Sequence, residues 1–266
     1  MYSRQENNIL WNKLCSFGKG KEPLFIHCPK TGGTYVSQYE SNNSSVIEPL
    51  HSIGHTFIVD NRNDKNPFYY GHDINRENNV FLSKMICGRP LFTIVRNHFD
   101  FFVSYYFHAK GINPKYRNIN HYDYKNCKKG FEHLLNVIAE RDDLWPNKKF
   151  IFPQVFSSKG DIIVDYIART HTLDEDCNQF AKKYNLKYTR KLKQRVGRSN
   201  DERNLNDFYS DGMIDLVNNT WNKELNLYGF TYEEEIRKSA IIPRIVDQKH
   251  KKAIKYDYWN DRLVIL

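Results

Sequence analysis

The stretch Pro23-Leu24-Phe25-Ile26-His27-Cys28-Pro29-Lys30-Thr31-Gly32-Gly33-Thr34-Tyr35 decides how this chain is read. Leu24–Cys28 is expected to form a short buried strand, Lys30–Gly33 a tight glycine turn, and Thr34–Ser41 the helix that follows. A turn of this kind gathers backbone N–H groups into a small concavity at a helix N-terminus, which suits a phosphate or a sulfate. Lys30 adds a mobile positive charge, and Thr31 and Thr34 add hydroxyl donors. In the common nucleotide-triphosphate loop the Lys follows the last Gly, and a Ser or Thr follows the Lys. Here the Lys precedes the glycines, so that loop is absent.

Outward from this stretch, strand and helix patterns alternate. Pro90–Val95 reads as a second buried strand, rich in residues that suit sheets. Phe99, Phe102, Val103 and Tyr106 fall at helical spacing, which predicts a helix over Phe99–Lys110 ended by Gly111. An amphipathic helix is expected at Phe131–Glu140, a strand at Ile162–Ile167 and a helix at Leu173–Tyr184. One long helix is expected over Asn206–Leu227, with Phe208, Met213, Leu216, Val217, Trp221 and Leu225 on its apolar face. The alternation argues for an α/β fold with a mainly parallel central sheet flanked by helices. Ligands in such sheets sit beyond the carboxyl ends of the strands, where the Lys30 turn and the Arg96 turn both fall.

The chain has 266 residues and carries a formal charge of +9, so its partner is expected to be an anion: a charged cofactor, an acidic glycan, a nucleic acid or an anionic membrane. Without a linker or an internal repeat, residues 1–266 are expected to form a single domain, with a core over about 22–232 and a C-terminal extension at 233–266. The extension mixes Lys, Arg and aromatics, and is expected to pack, because Trp259 and Leu263–Leu266 would otherwise be exposed apolar surface. The five Cys are widely spaced, with no pair or Cys/His cluster at zinc spacing, which predicts reduced thiols and no metal. No signal-peptide pattern and no run long enough to span a membrane occur, so a cytoplasmic protein is expected.

Arg96 leaves the end of the Pro90–Val95 strand, and Ser104 lies two turns into the next helix. A guanidinium and a hydroxyl so placed can hold one phosphate, since the planar fork of Arg donates two hydrogen bonds at once. Taken alone, Arg96 is better read as the partner of Asp100; beside the Lys30 turn, the anion reading gains weight.

With both corners in view, the chain resembles the sulfotransferases that use 3′-phosphoadenosine 5′-phosphosulfate (PAPS). Pro29–Thr34 is similar to the loop of that family that holds the 5′-phosphosulfate, and Arg96 with Ser104 to the Arg-x7-Ser pair that holds the 3′-phosphate. The resemblance is strongest to the carbohydrate branch, which includes heparan sulfate 2-O- and chondroitin-type enzymes. Ile94–Tyr106, then Asp165-Tyr166-Ile167-Ala168-Arg169 with Leu173 and Asp176, then Tyr209-Ser210-Asp211, Leu216-Val217 and Leu227-Tyr228-Gly229-Phe230 follow its pattern in order. His98 stands where that branch has Pro, Phe101 where it has Arg, and His171 where it has Glu.

The resemblance implies a P-loop-like sulfotransferase fold and transfer of a sulfuryl group to an acceptor hydroxyl, on a glycan or another sugar-containing molecule. Lys30 is the implied charge stabiliser. Thr31, Gly32, Gly33, Thr34, Tyr35, Arg96 and Ser104 are implied to bind the cofactor, and Arg198 and Ser199 to close over its nucleoside end or to form a solvated loop. His72, which follows Phe68-Tyr69-Tyr70-Gly71, is the implied general base, with His55 and then His51 as alternatives. Two rivals are a P-loop kinase, which would need a Lys after the glycines and an acidic strand end for Mg²⁺, and a basic nucleic-acid-binding module without catalysis.

Overall fold

Three parallel strands form the sheet that carries the Lys30 turn. β1 (Leu24–Ile26) pairs with β2 (Leu91–Val95), which pairs with β3 (Tyr166–Arg169), in the order β1-β2-β3. Leu24 lies opposite Leu91, and Val95 opposite Arg169, so β2 and β3 end level with one another at their carboxyl ends. β2 reads Leu-Phe-Thr-Ile-Val and is buried throughout, as a parallel strand covered on both faces must be. This computed structural model describes residues 24–26 (backbone only), 30–32, 90–111, 123–141, 146, 155–156, 161–162, 164–184, 204–233, 240–257 and 262–266. Described residues within 1–95, 151–194 and 243–266 make one compact unit, and those within 96–150 and 195–242 a second.

In the first unit, helix Leu173–Lys183 lays Leu173, Cys177, Phe180 and Ala181 inward. The Phe180 ring lies 4.6 Å from Phe92 and 5.4 Å from Tyr166, which fixes this helix on β2 and β3. The C-terminal residues add helix Gln248–Ala253 and an antiparallel pair, β4 (Ile254–Asp257) and β5 (Arg262–Ile265). Just before that helix the chain runs antiparallel along β3: Ile167 N–H donates to the Arg244 carbonyl at 2.8 Å, and Val246 N–H to the Asp165 carbonyl at 3.0 Å.

The second unit is helical. Helix His98–Ala109 buries eight of its twelve residues. Helix Phe131–Glu140 has the expected bounds, buries Phe131, Leu134, Leu135, Ile138 and Ala139, and starts at Gly130, whose φ of 114° suits glycine. Gly111, at φ 69°, follows the Lys110 cap of the first helix and turns the chain away, as expected.

Three expectations need correction. The long helix over Asn206–Leu227 is instead a 3₁₀ turn at Leu205–Asp207, a helix at Asp211–Thr220 and a helix at Asn222–Tyr228. Asn204 caps the first piece and Ser210 precedes the second, while Asn218-Asn219-Thr220 favours non-helical backbone before Trp221. Trp221, at φ −110° and ψ 19°, breaks the helix and packs its buried ring 4.5 Å from Phe102. The apolar period survived because the interruptions are short, so periodicity alone does not reveal them.

The third strand begins at Tyr166, not Ile162. Ile162 makes only an isolated bridge to Phe156, and the Asp165 carboxylate takes the Leu91 N–H at 2.8 Å where the ladder begins. In the tail, Ile254 and Tyr256 are buried, but Ile265 and Leu266 remain 64% and 75% exposed. A two-stranded ribbon covers the alternate residues of β4 and leaves the end of β5 in solvent. Trp259 lies outside the described residues.

Candidate functional site

The turn after β1 has left-handed backbone on both sides of one buried residue. Lys30 has φ 66° and Gly32 has φ 115°, with the wholly buried Thr31 between them. For Lys30 this conformation costs about 1–2 kcal/mol, a strain that folds tend to keep only where it positions something. Gly32 is required by its backbone conformation, and Leu173 packs close beside it. Its φ disfavours any side chain, and a Cβ there would lie 2.9 Å from Leu173 Cδ2 and 3.9 Å from Ile94 Cδ1.

The turn is held from behind by the residue that follows β3. Thr170 Oγ1 donates to the Thr31 carbonyl at 2.8 Å and lies 3.2 Å from the Val95 carbonyl. The residues around Thr170 are held by a buried carboxylate. Asp176 accepts from the Arg169 N–H at 2.8 Å, the Thr172 hydroxyl at 2.8 Å and the Tyr166 hydroxyl at 3.3 Å. Arg244 Nε approaches the same carboxylate at 3.3 Å. Burial, and then the neighbouring Asp176 charge, push the Tyr166 phenol far above its ordinary range, so it stays a donor. Sequence reasoning placed Arg169 and Asp176 in a motif but missed Thr170 and Arg244. The rule that ligands lie beyond the carboxyl ends of parallel strands, applied to all three strands, would have pointed to Thr170.

The Arg96 corner is built from side chains. Asn97 caps helix His98–Ala109 by accepting the Phe99 N–H at 3.3 Å, and its amide donates to the Thr231 carbonyl at 2.8 Å. Arg96, Asp100, Ser104 and His108 follow at four-residue intervals. With Phe107, the last three are the helix positions that are not fully buried, so a partly exposed stripe runs along an otherwise packed helix. Arg96 Nε donates to Asp100 Oδ2 at 2.6 Å, the ordinary pairing that the sequence also allowed. His98, fully buried, shares a 2.5 Å hydrogen bond with buried Glu224, and its ring lies 6.3 Å from those of Trp221 and Phe102. A Pro at this position could not make that bond, so Glu224 and His98 go together.

Of the residues named from sequence, Lys30, Thr31 and Gly32 lie in the first unit, and Arg96 and Ser104 in the second. Gly33, Thr34, Tyr35, His51, His55, His72, Arg198 and Ser199 lie outside the described residues. Among the described residues no cluster of His, Cys, Asp and Glu is able to hold a metal, and no helix is long and apolar enough to cross a membrane. Cys127 and Cys177 are buried thiols, and burial pushes Cys127 up to about 12.

Residues 24–231 match the family model described as "Sulfotransferase family", a span that takes in both corners and Asp176. No curated protein and no solved structure matches the chain. A match over most of the length is enough to assign it: the chain belongs to the sulfotransferase family.

Proposed function

We propose that this protein transfers the sulfuryl group of PAPS to a hydroxyl of a carbohydrate acceptor. The observation that carries the reading is the Lys30–Gly32 turn. Its two left-handed residues curve the backbone at the carboxyl end of a parallel sheet, and a Cβ at Gly32 would press on the end of the Leu173 side chain. Curvature of that kind gathers N–H groups toward an anion. These features fit a phosphosulfate, and Arg96 and Ser104 suit a second phosphate in charge and in hydrogen-bonding capacity.

In this reading the turn and Thr34 bind the 5′-phosphosulfate, Arg96 and Ser104 bind the 3′-phosphate, and Arg198 and Ser199 lie toward the nucleoside. The acceptor oxygen forms a bond to sulfur as the bond from sulfur to the 5′-phosphate oxygen breaks. His72 takes the acceptor proton, and adenosine 3′,5′-bisphosphate leaves. Lys30 offsets the charge that builds on the leaving oxygen and the transferring group. The resemblance to the heparan sulfate 2-O- and chondroitin-type enzymes, with the charge of +9, favours an acidic glycan.

Calorimetric titration tests the donor. Adenosine 3′,5′-bisphosphate is expected to bind without metal, and ATP with Mg²⁺ or an oligonucleotide to bind far more weakly; the reverse order would sink the reading. Labelled sulfate transfer onto a panel of glycans then identifies the acceptor. His72→Ala is expected to lose turnover while retaining the bisphosphate, and near-normal turnover in that variant would remove His72 from the mechanism.

A further inference from the structure

We propose that Thr170 is a positioning residue of the donor site, acting through the backbone of the Lys30 turn. The inference rests on the PAPS reading, because it concerns how the turn presents itself to that donor. A trans peptide is planar, so the C=O of one residue and the N–H of the next point in opposite directions. The Thr170 hydroxyl holds the Thr31 carbonyl at 2.8 Å, and this fixes the N–H of Gly32 to point away from Thr170. The same oxygen lies 3.2 Å from the Val95 carbonyl, at the end of β2. One hydroxyl thus ties the turn after β1 to the last residue of β2, from a position directly after β3.

Thr170 is well suited to this task because its own place is fixed. It follows Arg169, whose N–H is held by Asp176, and precedes Thr172, whose hydroxyl is held by the same carboxylate. The Asp176 carboxylate is wholly buried and is approached also by Tyr166 and Arg244. A buried carboxylate with this many donors has one low-energy arrangement, and the turn inherits its rigidity. The strained φ of Lys30 and the positive φ of Gly32 need such an anchor, since without it the Thr31–Gly32 peptide can rotate and carry its N–H away from the anion.

Two substitutions separate the hydroxyl from the volume around it. Thr170→Val keeps the shape and removes the donor; Thr170→Ser keeps the donor and removes a methyl. Binding of adenosine 3′,5′-bisphosphate is read by calorimetry, and amide hydrogen exchange over the 30–34 peptide is read without ligand. Loss of the hydrogen bond that orients the Thr31–Gly32 peptide is expected to weaken binding about tenfold in Thr170→Val, with faster exchange in the turn, whereas Thr170→Ser stays within about threefold of wild type. If Thr170→Val binds and exchanges as wild type does, the proposal is wrong. It is equally wrong if Thr170→Ser is as weak as Thr170→Val, because the hydroxyl is then not the cause. Absence of binding in the wild type would instead overturn the PAPS reading. The exchange comparison still decides whether Thr170 holds the turn.

Discussion

The two corners that the proposed function assigns to the donor are built by different means. The Lys30 turn is a backbone device: its φ angles, a buried Thr31 and a glycine packed beside Leu173 set its shape, and Thr170 pins it from behind. The Arg96 corner is a side-chain device, in which a guanidinium already paired to Asp100 heads a half-exposed stripe on a capped helix. A backbone site is selective by geometry and tolerates little change in shape. A side-chain site is selective by charge, and any anion that enters must share Arg96 with a carboxylate. Under the proposed function the first suits the reacting end of the donor, where small displacements matter, and the second suits a phosphate held by charge.

The sharpest way to break this contrast is Lys30→Ala. It removes a cation without relieving the turn, since Ala at φ 66° is as strained as Lys. Turnover is expected to fall by about 10²–10³, as for loss of one transition-state donor, while affinity for adenosine 3′,5′-bisphosphate falls much less. Equal losses in both would make Lys30 an anchor and erase the distinction.

Arg96→Ala should show the opposite split. Affinity for the bisphosphate is expected to drop about 10–100-fold through loss of charge-assisted hydrogen bonds, with kcat at saturating donor little changed. Arg96→Lys should recover only part of that affinity, because a point charge cannot replace the fork. A kcat that collapses with an unchanged affinity would move Arg96 into the reacting end.

The smallest effect compares two glycines. Gly32→Ala is expected to cost about 1–2 kcal/mol, through its φ of 115° and the contact with Leu173. At Gly212, in helix Asp211–Thr220, a Cβ meets nothing within 4 Å, and Gly212→Ala is expected to stabilise by about 0.5–1 kcal/mol. Thermal melting should therefore move in opposite directions for the same chemical change, and a stabilised Gly32→Ala would show that the turn is not held as described.

Much of this was legible in the sequence because it rests on local rules. The Leu-Phe-Thr-Ile-Val run could only be a buried strand, the Phe131–Glu140 period placed that helix to the residue, and the order of Lys and glycines set the turn apart from nucleotide-triphosphate loops. The remainder depends on partners distant along the chain. That His98 pairs with Glu224, 126 residues away, has no trace in either neighbourhood. Thr170 carries no signal of its own between Arg169 and His171, and its role appears only when the carboxyl ends of β2 and β3 are brought level. The break at Trp221 was hidden for a different reason: a single non-helical residue barely disturbs the apolar period.

The run from Arg244 to Val246 has a practical consequence. It lies past the family match, yet it occupies the hydrogen-bonding groups along the outer side of β3, and the Arg244 side chain reaches Thr172, Glu175 and Asp176. It works as a hem on the fabric of the sheet. A shortened protein cut at the family boundary would carry a raw border of unpaired peptide groups, the usual template for strand-to-strand clumping. Any trimmed version meant for crystallisation or assay should keep the chain at least through β4.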